Sequence, residues 1–439
     1  MAMVVKNNMS ALSTLNTLNK NTNALSKSLQ KVSSGMKINS AADDASGYAI
    51  SERMRVQIRS LDQANSNAQN GGSMMKVAEG AVSSTVEILK TLKEKAVNAA
   101  NDTNTDADRQ TIQKELDQSI DQINDNANVT FNGQYLVDGS KNSKTTATCT
   151  ALTNQSLAEG TGSSTKLTDL KARNNDSLNI QSTDTVTVSW VKDGKTYTAS
   201  TQVGSLSLDA ALKGMKDGAE ELSKSVTLSA GKSSFIAVDG SGNSVYTASG
   251  ESSITVTSAA NGIEGQISGF TISITDNTGA VRKSANAALD AFDETLRAQN
   301  ASEDNSINLQ IGTKANQTIK VGLTDMKAQA LGLQGKNNDT IQVGNQEQAN
   351  AAINVLDAAI QKALDQQTTI GAVQSRLEYT QSNLTTASEN VTAAESTIRD
   401  ADMAKEMTEY TKNNVLMQAA QSMLAQANQS SSNVLSLLQ

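Results

Sequence analysis

Small and apolar side chains recur at Ala11, Leu15, Leu18, Thr22, Leu25, Leu29, Val32 and Met36, in alternating steps of four and three. That spacing keeps one stripe along a helix, and its mean of 3.5 residues predicts a coiled-coil seam. Gly35 closes the run, and Ser40-Ala-Ala-Asp43 has the form of a capping box, so a second helix is predicted to begin there. It continues past Tyr48, Ile50, Met54 and Ile58, with Gly71-Gly72 as an expected interruption, and a third helical stretch is predicted over 77–100. A polar turn at 101–108 precedes a helix over 108–127, with Ile112, Leu116, Ile120 and Ile123 on one face; Phe131-Asn-Gly133 ends the helical block as a turn.

Between about 141 and 282 the period changes to two. Val186, Val188 and Trp190 alternate with Thr and Ser, Asp193-Gly194 reads as a hairpin turn, and Tyr197 falls on the returning strand. Phe235–Val238, Ile254–Val256 and the set Phe270, Ile272, Ile274 repeat the signal, and 14 of the 27 glycines lie here, which sets this region apart as a β-rich insertion. A helix is expected over 284–298 with Ser284 as its cap, then a short β segment over 307–321. From Ile370 the stripe returns at Val373, Leu377, Thr380, Leu384, Ala387, Val391, Ala394, Ile398 and Ala401. Over those residues a helix rises about 48 Å, longer than an ordinary domain needs. The pattern resumes at Leu416, Ala420, Met423, Ala427, Ser430, Val434 and Leu437.

The fold class predicted is therefore mainly α: long antiparallel coiled-coil helices from both termini, with an inserted β-rich outer domain. The expected segments are an inner helix over 1–42, a first outer helical part over 43–143, the insertion over 144–297, a second outer helical part over 298–400 and a terminal inner helix over 401–439. Pairing the two ends is expected to bury both stripes. Residues 8–36 and 416–438 contain no aromatic side chain, so these ends are expected to be marginal until further partners complete their burial. The residues expected to pack between subunits are Leu15, Leu18, Leu25, Leu29, Val32, Leu416, Met423, Val434 and Leu437.

Composition narrows the chemistry. The 439 residues include no proline, which suits long helices, and no histidine, which removes a histidine zinc site, a Ser-His-Asp triad and a histidine general base. Asp43-Asp44 are adjacent on a helix and point apart, so they are read as first-turn charges and not as a catalytic pair. No cofactor and no metal site is expected. A net charge of −8 with no basic stripe excludes nucleic-acid binding. Residues 1–42 carry five lysines and no acid, and beyond Glu409 the only charge is Lys412, so both ends are cheap to desolvate. No apolar run is long enough for membrane insertion, and the start lacks a signal-peptide core. The lone Cys149 is read as an incidental residue of a polar loop, and Asp239-Gly-Ser-Gly242 and Asp276-Asn-Thr-Gly279 as turns.

Four stretches carry a resemblance: LQKVSSGMKINSAADDASGYAI (29–50), ASENVTAAESTIRDADMAKEM (387–407), QSMLAQAN (421–428) and NVLSLLQ (433–439). In this order they resemble the bacterial flagellins, over roughly 1–140 and 300–439; the middle resembles nothing nameable. The resemblance implies a subunit of the flagellar filament, polymerising with itself through its terminal helices, the insertion facing solvent. It implies an extracellular location on the bacterial flagellum and type III export without a cleavable signal peptide. It further implies an export chaperone on the C-terminal helix, and filament cap and hook-junction proteins as neighbours. Some flagellins activate Toll-like receptor 5. Glu115 matches that family patch, but Thr91 and Lys95 stand where the family has arginine and leucine, so weak or absent activation is expected. Some relatives carry a metallopeptidase in the insertion, which the lack of histidine removes here. The alternatives are a flagellin-like hook–filament junction protein, or a filament subunit whose insertion acts as an adhesin.

Overall fold

A computed structural model describes residues 8–217, 220–222, 226–232, 235–246 and 252–437. Two compact units divide the chain, one of 1–68, 310–317 and 379–439, the other of 69–309 and 318–378.

In the first unit, helix α1 (Met9–Ser34) starts where the Asn8 side chain accepts from the Ala11 amide, and ends at Gly35, whose φ of 70° suits glycine and whose N–H returns to Lys31 O. Helix α2 (Ala45–Ala99) starts five residues later than Ser40. Ser40 does donate to Asp43, and the amides of Asn39 and Ser40 donate to the same carboxylate, which holds it below the usual carboxylate range. That network closes a turn, however. The cap of α2 is Asp44, whose Oδ1 accepts from the Ser46 and Gly47 amides at 3.1 Å each. Helix α6 (Gln346–Arg399) and helix α7 (Met403–Leu437) return along α2 and α1. Arg55 reaches Glu395 at 3.0 Å and Asp62 accepts from Ser388 at 3.0 Å, so α2 and α6 run antiparallel. Asn8 donates to Ala427 O and Asn21 to Leu416 O, so α1 and α7 do too.

The second unit holds the remaining halves of α2 and α6 with helix α3 (Asp106–Ala127), capped by Thr105 and Asp108 in a reciprocal box. Met75, Val82, Leu89 and Leu92 of α2 are buried with Leu116, Ile120 and Ile123 of α3 and Val355, Leu356 and Ile370 of α6. Gly71-Gly72 does not break α2. A side chain at Gly71 would strike Leu309, so glycine there admits a neighbouring strand while packing keeps the helix continuous.

After α3 the hairpin β1 (Thr130–Phe131) and β2 (Gln134–Tyr135) turns at Asn132 and Gly133, both at positive φ. The insertion then builds β3 (Ala151–Asn154), β4 (Thr185–Lys192), β5 (Lys195–Gln202), helix α4 (Leu208–Lys213), β6 (Lys216–Asp217), β7 (Glu220–Glu221), β8 (Val226–Lys232), β9 (Phe235–Val238), β10 (Ser244–Tyr246), β11 (Ser252–Ser258), β12 (Ile267–Thr275), helix α5 (Lys283–Leu289) and β13 (Phe292–Leu296). Its larger sheets have the orders β13-β3-β11-β8 and β12-β4-β5. Trp190 and Phe270, facing each other across the register, are buried with Val186, Val188, Ile272 and Ile274, as the period of two requires. Two expectations fail here. The helix expected over 284–298 stops at Leu289, has no side-chain cap, and gives way to β13, because Phe292 to Glu294 pair with β3. Cys149 is not in a polar loop; it is buried with Ala151, Ile236 and Leu296. Asp239 and Asp276 do close turns, accepting from the amides of Ser241 and Asn243 and of Thr278 and Ala280. A ribbon of β14 (Ile307–Gln310) and β15 (Thr318–Val321) follows before α6.

Candidate assembly face

The α1–α7 pair is joined by a mixed seam of aliphatic, small and polar side chains. Leu18, Ala24, Leu25 and Val32 of α1 and Tyr410, Asn413, Met417 and Leu424 of α7 are partly covered, and among the described residues of the two helices only Ser28 and Ala420 are buried. Asn413 donates to Ser28 Oγ at 3.0 Å and Lys31 pairs with Glu406 at 3.5 Å. Asn21 and Asn8 bond carbonyls of α7, each at 3.2 Å. These polar contacts are made together in one register of α1 against α7.

Pairing the ends therefore does not bury both stripes. Of the residues predicted to pack between subunits, Leu18, Leu25 and Val32 turn toward α7 and are partly covered. Leu15, Leu29, Leu416 and Met423 point away and remain exposed, Leu29 at 52% and Met423 at 62%. Met9, Leu12, Met403, Met407 and Val415 join them on the outward surface. Val434 and Leu437 sit on the last turns of α7, and their side chains lie outside the described residues. On α7 the three-and-four spacing is right in period, but the intramolecular seam is offset from it. Leu416 and Met423 are exposed, while Asn413, Met417 and Leu424 are partly covered. Fully burying one such leucine or methionine stabilises by about 1.5–3 kcal/mol, so a run of them left in water favours a further apolar surface.

Sequence reasoning missed a joint that holds this pair to the rest of its unit. Helices α1 and α2 are interrupted at 35–44, and α6 and α7 at 400–402. The two breaks face each other: Lys37 N donates to Arg399 O at 2.7 Å, Ala401 N to Gly35 O at 2.9 Å, and Met36 bridges Asp400. Arg399 is buried there, bonds Glu52 at 2.5 Å and lies 5.4 Å from the Tyr48 ring. Its hydrogen bond holds Glu52 below the usual carboxylate range. Asp402 then caps α7 through the Ala404 and Lys405 amides. The legible signal is the coincidence of Gly35 with the Asp400–Asp402 run, each ending a stripe.

The residues of the second predicted patch do come together in part. Lys95 pairs with Glu115 at 2.9 Å, and Thr91 is exposed on the same helix, its hydroxyl donating to Glu87 O. Among the described residues no group of three or more His, Cys, Asp or Glu side chains could hold a metal, and no helix is long and apolar enough to cross a membrane.

Comparison with known proteins agrees with this architecture. Residues 5–142 match the bacterial flagellin N-terminal helical region and 353–438 the C-terminal helical region. The flagellin of Clostridium tyrobutyricum is 36% identical over 438 residues, spanning 97% of this chain and 99% of that protein. The flagellin of Bacillus subtilis strain 168 is 31% identical over 462 residues, spanning 99% and 100%. Likeness to the solved flagellar junction protein FlgL from Legionella pneumophila is weak, with 13% identity and a TM-score of 0.30 over 75% of this chain and 99% of that one. The chain thus belongs to the bacterial flagellins, structural subunits of the flagellar filament and not enzymes.

Proposed function

We propose that this flagellin polymerises by stacking the outward faces of α1 and α7 on those of neighbouring copies, with Leu15, Leu29, Leu416 and Met423 among the contacts. The observation that carries this reading is the run of exposed leucine, methionine and valine side chains on helices that already have one partner. A contact made by different surfaces of successive copies does not close on itself, and it extends into a helical fibre. The sparse charge of the C-terminal end supports the reading, because beyond Glu409 only Lys412 would need desolvation. Before assembly the same face of α7 is open to an export chaperone, and the type III route, the cap and the hook-junction proteins follow from the family in the same way.

The test is electron microscopy of purified chain mixed with filament seeds. Full-length protein is expected to grow long filaments. A chain lacking the last 30 residues, which loses most of α7, and a Leu29→Ser/Leu416→Ser/Met423→Ser variant, which keeps its helix content by circular dichroism, are both expected to remain soluble monomers. Filaments from either would overturn the proposal.

For Toll-like receptor 5 we propose weak or absent activation. The Lys95 ammonium neutralises Glu115, and Thr91 offers no guanidinium. A receptor reporter assay on purified monomer reads this directly: low signal is expected, and Thr91→Arg/Lys95→Leu is expected to raise it at least tenfold.

A further inference from the structure

One turn of α6 holds three separate segments of the second unit. Asp365 takes Arg297 at 2.7 Å, just past the last strand of the insertion, and Arg297 in turn holds Glu294 of β13 at 3.0 Å. Gln366 accepts from the Thr324 hydroxyl at 2.8 Å, in the segment after β15. Lys362 donates to the Ala330 carbonyl at 2.6 Å, within the turn that follows. The first two holds are charge-balanced or neutral. The third places a lysine amine on a carbonyl, not on a carboxylate.

Lys362 also lines a cleft of about 250 Å³ shared with Asp138, Asn142, Gln299 and Asp325. Gly139, at a φ of 86°, lets the 138–140 turn close over Asp325, since a Cβ there would come within 2.9 Å of the Asp325 side chain. Among the described residues, the charged groups around the amine are Glu294 and Arg297 from the insertion's exit, Asp325 and Lys327 from the segment after β15, Asp138 from the turn after β2, and Asp365 one turn along α6. Lys362, Glu294 and Asp325 are partly covered, and the protein around them disfavours charge on both sides. The Lys362 amine is pushed down to about 8, and the Glu294 and Asp325 carboxyls are pushed up.

We propose that Lys362 is a proton-operated latch, which seats the exit of the insertion and the 322–333 segment on α6 more firmly when its amine is neutral. A neutral amine keeps its N–H donor for Ala330 O, so the hold survives deprotonation, and the cost of the partly buried charge that is removed outweighs the attraction of Glu294 and Asp325 that goes with it. The direction with pH follows. Between about 8 and the 10.5 of an ordinary lysine, the folded chain has lost this proton while the unfolded chain retains it. The unfolded state then binds more protons, so folding strengthens as pH rises through that window, and the cost of the enclosed charge is fully present below it.

The experiment is denaturant unfolding of the unassembled full-length chain at pH 7, 8, 9 and 10, for wild type, Lys362→Met and Lys362→Arg, with amide exchange to locate the effect. Relative to Lys362→Met, which cancels every other titrating group, the wild-type unfolding constant is expected to fall about tenfold per pH unit between 8 and 10. Lys362→Arg cannot lose its proton and is expected to follow the slope of Lys362→Met at lower stability. Gained protection is expected over 292–300 and 322–333. Parallel wild-type and Lys362→Met curves would overturn the latch, and so would an alkaline gain in protection confined to other segments. If Lys362→Met does not fold, the slope of wild type against Lys362→Arg decides between the same two outcomes.

Discussion

A methyl group on Gly335 would fall inside the Asp193 carbonyl, and one on Gly194 would fall inside the Asp339 carbonyl. The β4–β5 turn and the 335–339 loop therefore meet backbone to backbone, with Lys195–Asp339 at 3.2 Å beside them. Gly80, by contrast, has nothing within 4 Å of where its Cβ would lie, on the exposed side of α2. The two substitutions are expected to have opposite signs. Gly335→Ala should destabilise the chain by about 1–3 kcal/mol, since backbone must move to admit the carbon. Gly80→Ala should stabilise it by about 0.5–1 kcal/mol, because alanine fixes the helix at lower entropic cost. Unfolding midpoints of the two variants against wild type check both. Half of this contact was legible in the sequence: Asp193-Gly194 between alternating strands reads as a hairpin turn, and φ values of 51° and 73° agree. Nothing local marks Gly335, whose need for glycine is set by a turn some 140 residues away.

At the scale of elements, the same division separates what could be read from what could not. The stripe from Ile370 predicted the second half of α6 up to Arg399; Ile370 and Leu377 are fully buried where it says, Val373, Leu384, Val391 and Ile398 are partly covered, and Ala394 is exposed. Local pattern failed where a distant element decides. Ser40 and Asp43 form the bonds of a capping box, yet a turn intervenes because Asp44 supplies the better cap. Gly71-Gly72 reads as an interruption, and the cost of about 2 kcal/mol for two helical glycines is met by the close approach of Leu309 and by buried neighbours such as Met74 and Met75. Phe292 to Glu294 continue an apparently helical run but pair with β3, which lies far away in sequence. On α7 the residues expected to pack between subunits were legible as apolar, while their direction was not. A stripe shows that a face will be covered and leaves open whether the covering comes from within the chain or from the next copy. Here the seam inside the chain takes Asn413, Met417, Ala420 and Leu424, and Leu416 and Met423 are left over.

For the whole molecule, the insertion could be treated as a passenger that removal leaves without consequence, or as part of the second unit's core. The packing favours the latter. At Gly269 strand β12 comes so close to α6 that a Cβ would meet Val355 and the Ala351 carbonyl, and Asn354 donates to Phe270 O at 3.4 Å. Ala351 and Val355 are fully buried in this arrangement. Excising 145–295 would remove β12 from that contact and leave Arg297 without Glu294. The outward faces of α1 and α7, however, contain no residue of the insertion. The two roles should therefore separate in one variant. A chain with 145–295 replaced by a short Gly-Ser linker is expected to unfold at a lower denaturant midpoint than the full chain, and still to grow filaments from seeds. Differential unfolding and electron microscopy on the same sample decide it. An unchanged midpoint would mean that the insertion does not stabilise α6. A folded, helical variant that never forms filaments would mean that assembly depends on more than the terminal helices.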